Sequence, residues 1–380
     1  MIIEVLTAHG GARYWRTLLG EWRRAGHTVC EVSEFDDAIY RRERGRAGRF
    51  WLRLMTYGFF PIKVWCRLRF RGDTADTLRV VITSPFYLPF VVAWPRGSKQ
   101  RPPTVIVLND LFPDALVLAG ILRPKGWAVK CLGAMTRYYL KESEAAVYLG
   151  KHLMTYAEQR YGRTRNNRII PVGGDAKFIC AAFPSEVPSS TPIRILYSGT
   201  MGHMHDTDTL IDVFCRGLPK GIHFTFHSSG VGYGRLSRAL EHLDEEKGRQ
   251  VSLLGPLSDQ AWRETLTRHA IGLVTLRDGA EHISMPSKAY SALAAGQAIL
   301  AICAIDSDLA ELITRHNCGW VIAPGRGEEL LALLVHISEN PEEVHAKRLE
   351  AFRAGHSIYD ISTISQQYLD LFDLMLEGSR

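Results

Sequence analysis

The sequence predicts an α/β protein built from two domains, each with a parallel sheet. Three observations predict it. The chain has 380 residues, more than one ordinary core holds and comfortable for two. Short β-branched runs alternate with helical segments along nearly all of it, as parallel βαβ units require. The alternation stops once, in a Pro- and Ser-rich stretch at residues 171–192, and then resumes.

In the first half, strands are expected at residues 2–6, 28–32, 79–83, 104–108 and 145–148. In the second they are expected at 193–197, 223–227, 251–254, 271–275, 298–301 and 319–322. Helices between them carry the usual punctuation: Ser287 precedes a run that ends at Gly296, and Ser307-Asp308 opens one that closes near Gly319. The expected domains are therefore 1–172 and 193–357, with a linker at 173–192 and a C-terminal helix at 358–380. Ligands of such sheets bind beyond the carboxyl ends of the strands, so with two sheets the site is expected in a cleft between the domains.

Composition narrows the class. Hydrophobic residues make up 46% and charged residues 23%, the balance of a folded chain and not of a disordered one. Seven cysteines stand singly with no C-x-x-C pair, which suggests neither a disulfide framework nor a zinc site and points to a reducing compartment. The N-terminus has no basic n-region of a signal peptide and reads as the first strand. The most apolar stretch, 80–94, is broken by Pro85 and Pro89 and is shorter than the roughly 20 residues of a spanning helix.

The net charge of +6 hides an asymmetry. Residues 1–190 hold 29 Lys and Arg against 16 Asp and Glu, and the remainder 17 against 24. A basic first half suits an anionic surface, whose attraction is long-ranged and screened by salt.

Two segments of the second half carry binding chemistry. A buried strand runs into the glycine turn Ser198-Gly199-Thr200-Met201-Gly202, where backbone can approach an anion; a plain βα turn is the alternative reading. Later, a polar loop from Leu276 delivers Ser287 and Lys288 to a helix start. First-turn N–H groups, the helix dipole and the Lys288 ammonium together suit a diphosphate.

In order and spacing, Ser198-Gly199-Thr200-Met201-Gly202, Leu254-Gly255-Pro256, Met285-Pro286-Ser287-Lys288, Ala294-Ala295-Gly296, Glu311-Leu312-Ile313 and Gly319 resemble the donor-binding domain of retaining GT-B glycosyltransferases of family 4. Upstream, Asn109-Asp110-Leu111-Phe112-Pro113-Asp114 is similar to the D-L-x-P-[DE] segment of bacterial polysaccharide transferases in that group. The resemblance implies two Rossmann-like domains facing across a cleft, a C-terminal helix returning to the first domain, a nucleotide-sugar donor and no metal or other cofactor.

Carried over by position, Gly10 and Gly11 match the glycine loop facing the donor phosphates. Gly199, Thr200 and Gly202 match the diphosphate support, and Leu257 flanks the base. Glu281, His282, Ile283 and Ser284 face the donor sugar, while Arg235 serves as a second phosphate cation. The family often carries two glutamates eight positions apart, but Ile283 and Ser291 stand at those positions here. Glu281, two residues from the first slot, is the substitute there, and ribose is held by Glu311 or by backbone. Asp206-Thr207-Asp208 and Asp306-Ser307-Asp308 look like metal motifs but fall at helix starts, where they read as caps. His203, His205 and His227 lack further metal-ligand partners at useful spacing.

Residues 41–71 contain ten basic residues, one acid and seven aromatics. Arginines for lipid phosphates and rings for the acyl boundary suit an interfacial helix, with Arg49, Trp51, Arg53, Phe59, Phe60, Trp65 and Arg67 as contacts. A partly buried helix pair with an arginine rim is the alternative. Nucleic acid would use the same residue types, but the donor motifs argue against it.

The expected function is retaining transfer of a sugar from a nucleoside diphosphate, a UDP-sugar, to an acceptor hydroxyl. Lys288 stabilises the leaving diphosphate, Glu281 serves the donor sugar, and Asp110 contacts the acceptor or takes its proton, the alternative being that it only caps the turn from Asn109 to Pro113. The expected acceptor is a lipid-linked saccharide or lipid-linked diphosphate, which places the protein peripherally at the cytoplasmic face of the plasma membrane; a soluble acceptor is the alternative. A UDP-sugar 2-epimerase and an inactive membrane scaffold are the alternatives.

Overall fold

The structure is a computed structural model that describes residues 1–10, 13–36, 46–70, 76–94, 101–184, 192–241 and 248–377. Gly11, residues 41–45 and 71 of the basic segment, and 185–191 of the expected linker lie outside these. So do the side chain of Arg49 and the surroundings of Gly10. Two compact units emerge, one formed by residues 1–171 with 362–380 and the other by 172–361. Residues 173–184 therefore pack within the second unit, where Asp175 caps the short helix Ala176–Ile179.

In chain order the first unit has β1 (Ile2–Leu6), β2 (His9–Gly10), β3 (Thr28–Val32), β4 (Phe35–Asp36), β5 (Thr77–Ile82), β6 (Thr104–Leu108), β7 (Ala145–Tyr148) and β8 (Asn166–Ile169). Six of them form a parallel sheet of order β3-β1-β5-β6-β7-β8. β5 and β7 are buried along their whole length, as the unbroken apolar runs of a doubly covered parallel sheet demand. β5 starts two residues before its expected position. β8 was not expected, because Asn166-Asn167-Arg168-Ile169 is polar; it is an edge strand that pairs only with β7.

The basic, aromatic segment forms the helix Arg46–Leu54, one π-helical stretch Met55–Phe59 and the helix Phe60–Phe70. It does not present all its expected contacts to solvent. Phe60 is fully buried, with Val64 and Leu68 one and two turns on. Arg67 reaches Glu4 of β1 at 3.3 Å, and Glu4 is bound at 2.8 Å by Arg79, its register partner on β5. Those two residues fasten the helix to the sheet. Trp51, Arg53, Phe59 and Trp65 are exposed as expected.

The helix Ile361–Glu377 adds to this unit, its Tyr368 and Phe372 packing edge-on against the buried Trp22. Among the described residues no helix is long and apolar enough to cross a membrane.

The second unit holds β9 (Ile193–Thr200), β10 (Ile222–Ser229), β11 (Val251–Leu254), β12 (Ile271–Thr275), β13 (Ala298–Ile302) and β14 (Gly319–Ile322). They pair in parallel in the order β11-β10-β9-β12-β13-β14. One face buries Ile195, Tyr197, Phe224 and Phe226 against Leu210, Val213 and Phe214 of the helix Asp208–Arg216. The strands β9 and β10 run two to three residues further than expected and so carry their ends into the loops that matter.

Candidate functional site

The strand order of the second unit reverses between β9 and β12. The chain leaves β9 towards β10 on one side and reaches β12 on the other only after β11, and such a switch opens a crevice beyond the carboxyl ends of the two strands. What enters there is the glycine turn after β9, the loop 201–207, the loop 276–287 after β12, and the helix Lys288–Ala294.

Gly199, the next-to-last residue of β9 and the register partner of Ser228, leads into the turn with φ +116, a conformation that side-chain-bearing residues rarely adopt. Its lack of a Cβ has a second use: a Cβ there would stand 3.0 Å from Lys288 Cε. The stem of Lys288 thus lies on the turn, and its ammonium sits 5.3 Å from the centre of the Tyr197 ring and 3.5 Å from His205 Nε2. Burial lowers the Lys288 pKa to about 8. Among the described residues no carboxylate pairs with it. A largely buried, unpaired ammonium is costly, and an anion arriving at the glycine turn would relieve that cost.

His205 completes the cluster. Its Nδ1 lies 2.7 Å from the carbonyl oxygen of Thr275, the last residue of β12. Burial, and then the Lys288 charge, lower its pKa to about 4 against the opposing pull of the Thr275 and Thr200 carbonyls. The ring is therefore neutral at pH 7. From the sequence His205 is considered only as a metal ligand and set aside; its partner lies 83 positions downstream, and no local pattern links the two.

The other expected donor-side residues distribute as follows. Thr200 ends β9 exposed, and Gly202 is half-buried beside it. Gly232 belongs to the run Gly230-Val231-Gly232-Tyr233-Gly234: its N–H donates to the Met201 carbonyl at 2.9 Å, and a Cβ would stand 2.8 Å from Met201 Cγ. That run is a packing feature that seats the helix Val231–Leu240 against the glycine turn. Arg235 of this helix is exposed and paired with Asp208, one contact being 3.1 Å.

Ser287 precedes the Lys288 helix but makes no side-chain capping bond. Two amides of its first turn, expected to be free, are taken: Ala289 N–H donates to Pro286 and Tyr290 N–H to Ser287. The anion-binding capacity here rests on Lys288 more than on the helix start.

Glu281 is half-buried, with Oε1 3.6 Å from His282 Nε2, and its Oε2 is buried with no hydrogen-bond partner. Ser284 is half-buried, whereas Ile283 turns its side chain into the core and can offer a ligand only backbone. Leu257 is half-buried in the loop after β11, where His227 Nδ1 donates to the Gly255 carbonyl at 3.1 Å. Glu311 pairs with Arg315 one helical turn on. Asp206 is buried as a cap that accepts from the Asp208 and Thr209 amides at 2.9 and 3.3 Å, and Ser307 caps its helix through the Ala310 amide.

In the first unit, Asp110 is half-buried just beyond β6. Four residues on, buried Asp114 accepts from Tyr156 at 3.1 Å and from Tyr161 and pairs with the Arg160 guanidinium at 2.9 Å, which anchors the segment that carries Asp110.

No family model matches the chain. It is 23% identical over 358 residues to a probable glycosyltransferase, WbjE, of Pseudomonas aeruginosa, spanning 86% of this chain and 85% of that one. Among solved structures it is similar to HepE of Anabaena in complex with UDP, with TM-score 0.69, 14% identity and 98% and 99% of the two chains covered. It is also similar to sucrose-phosphate synthase of Thermosynechococcus elongatus, with TM-score 0.73, 14% identity and 99% of each chain covered. The fold is of the GT-B type, two Rossmann-like α/β units.

Proposed function

We propose that this chain is a glycosyltransferase that moves a sugar from a UDP-sugar to an acceptor hydroxyl with retention of anomeric configuration, as retaining GT-B enzymes of family 4 do. The observation that carries the reading is Lys288, a largely buried ammonium with no paired carboxylate among the described residues, laid on a glycine turn at the switch point of a parallel sheet. The relative crystallised with UDP and the glycosyltransferase relative support the choice of donor.

In this reading the bond between the anomeric carbon and the diphosphate oxygen breaks, and a bond to the acceptor oxygen forms on the same face. Lys288 stabilises the negative charge that grows on the leaving diphosphate. Gly199, Thr200 and Gly202 let backbone approach the phosphates, and the backbone around Leu257 flanks the base. The unpartnered Glu281 Oε2 accepts from a donor-sugar hydroxyl, beside His282 and Ser284. Asp110 orients the acceptor hydroxyl or takes its proton. No metal or prosthetic group enters this reading.

The acceptor is a lipid-linked saccharide at the cytoplasmic face of the plasma membrane. What supports it is the exposed set Phe50, Trp51, Phe59, Trp65 and Phe70 interleaved with basic residues. A second stretch of the same composition adds support: Trp127 is 79% and Ile121 63% exposed, with Arg123, Lys125 and Lys130 next to them in the sequence.

The test is nucleotide release from a panel of UDP-, GDP- and dTDP-sugars, with and without lipid extract, beside a Lys288→Ala variant. Release that needs the extract and is lost in the variant is the expected result. Isomerised donor without extract would replace transfer by an epimerase reaction, and no release from any donor would remove the activity altogether.

A further inference from the structure

The ring of His205 is fixed from two sides. Its Nδ1 faces the Thr275 carbonyl at 2.7 Å; that oxygen has no proton to give, so Nδ1 carries the hydrogen and Nε2 keeps a lone pair. The ring packs edge-on to Tyr197, with centroids 5.8 Å apart and planes at 89°. Held so, Nε2 faces Lys288 Nζ at 3.5 Å.

We infer that His205 is a positioning residue of the diphosphate site and acts through Lys288. Thr275 sets the tautomer, the tautomer presents a lone pair, and the lone pair holds the ammonium over the Gly199 turn with its other N–H bonds free for phosphate oxygens. The inference rests on the reading of Lys288 as the diphosphate ligand.

A lysine stem is long and flexible, and ordering it only when the ligand arrives weakens binding. The neutral imidazole orders it beforehand without adding a charge that a carboxylate would have to surrender. An imidazolium would have no lone pair and would repel the ammonium. The titratable and polar groups facing the pair are the Thr200 carbonyl, which also pulls on the His205 ring, Tyr197, whose hydroxyl donates to that carbonyl at 3.0 Å, and the Thr275 hydroxyl, 3.5 Å from Nδ1. Burial raises the Tyr197 pKa beyond the range in which it ionises, so it stays neutral too.

The test is UDP affinity by calorimetry for wild type, His205→Asn and His205→Gln, each also in a Lys288→Ala background. Asparagine reproduces the Nδ1 donor to Thr275 but does not reach the Nε2 position, where glutamine can place a carbonyl oxygen. Expected is a loss of roughly ten-fold in His205→Asn, recovery in His205→Gln, and no effect of either once Lys288 is alanine. An equal loss in both backgrounds, or none in His205→Asn, overturns the inference. Failure of wild type to bind UDP, or full affinity in Lys288→Ala, overturns the diphosphate reading itself and the inference with it. The His205 imidazole nitrogen resonances give a check that survives any misfolded variant: a neutral Nδ1-H tautomer at pH 7 is expected, and an Nε2-H tautomer contradicts it.

Discussion

Replacing Gly199 by alanine would act on the site twice, through an unfavourable φ and through a Cβ 3.0 Å from the Lys288 stem. The expected outcome of Gly199→Ala is a loss of about 1–2 kcal/mol in unfolding stability and at least a ten-fold loss in UDP affinity, read by denaturant titration and calorimetry. A second residue-scale prediction concerns acid. His205 and His269 both have pKa values lowered to about 4, chiefly by burial. Between the ordinary histidine pKa of about 6.5 and pH 4 the unfolded chain binds protons that the fold does not. Stability therefore falls as pH drops through that window, by up to about 3 kcal/mol for each ring. His205→Gln and His269→Gln should each flatten the unfolding-midpoint profile between pH 6.5 and 4 and leave it unchanged above pH 7. Lys288 was legible because Pro286-Ser287-Lys288 announces a helix start; His205 was not, because its meaning lies in a contact with a distant residue. Arg235 was legible as a cation, but its engagement with Asp208 depends on how two helices pack.

At the scale of elements, β-branched runs disclosed eleven of the twelve described strands of the two six-stranded sheets, and β8 escaped because an edge strand need bury little. The segment 46–70 shows the other limit. Its composition was plain, but composition does not say which way each side chain points, and the π-helical stretch Met55–Phe59 interrupts the helical phase between Trp51 and Phe60. Phe60 and Phe59 are therefore opposite cases. Phe60→Ala should destabilise the protein by about 3–5 kcal/mol. Phe59→Ser with Trp65→Ser should leave the denaturation midpoint nearly unchanged while weakening sedimentation with anionic phospholipid vesicles. Arg67→Ala should behave with Phe60, because it leaves Glu4 with one fewer cation; Arg53→Ala should behave with Phe59.

Across the whole molecule, charge and chemistry divide between the two units. In the proposed reading the basic half supplies the surface for an anionic membrane, and the more acidic second half, through Lys288, which has no carboxylate partner among the described residues, takes the donor. Raising salt from 0.1 to 1 M shortens the screening length from about 10 to 3 Å, so vesicle binding should fall steeply while UDP affinity, set in a partly buried site, changes far less. Alternating strands and helices disclosed two parallel-sheet units, yet the two strand orders were not legible, because they depend on which side each crossover packs. That difference matters, since the reversal between β9 and β12 is what puts the glycine turn beside Lys288.

The most direct test is the proton balance of UDP binding at pH 8.5, measured by calorimetry in two buffers of different ionisation heat. With its pKa at about 8, Lys288 is partly neutral at that pH, and a diphosphate at its side restores the proton. Net proton uptake by the wild type, absent in Lys288→Ala, is the predicted result; UDP binding without uptake, or uptake that persists in the variant, would contradict it.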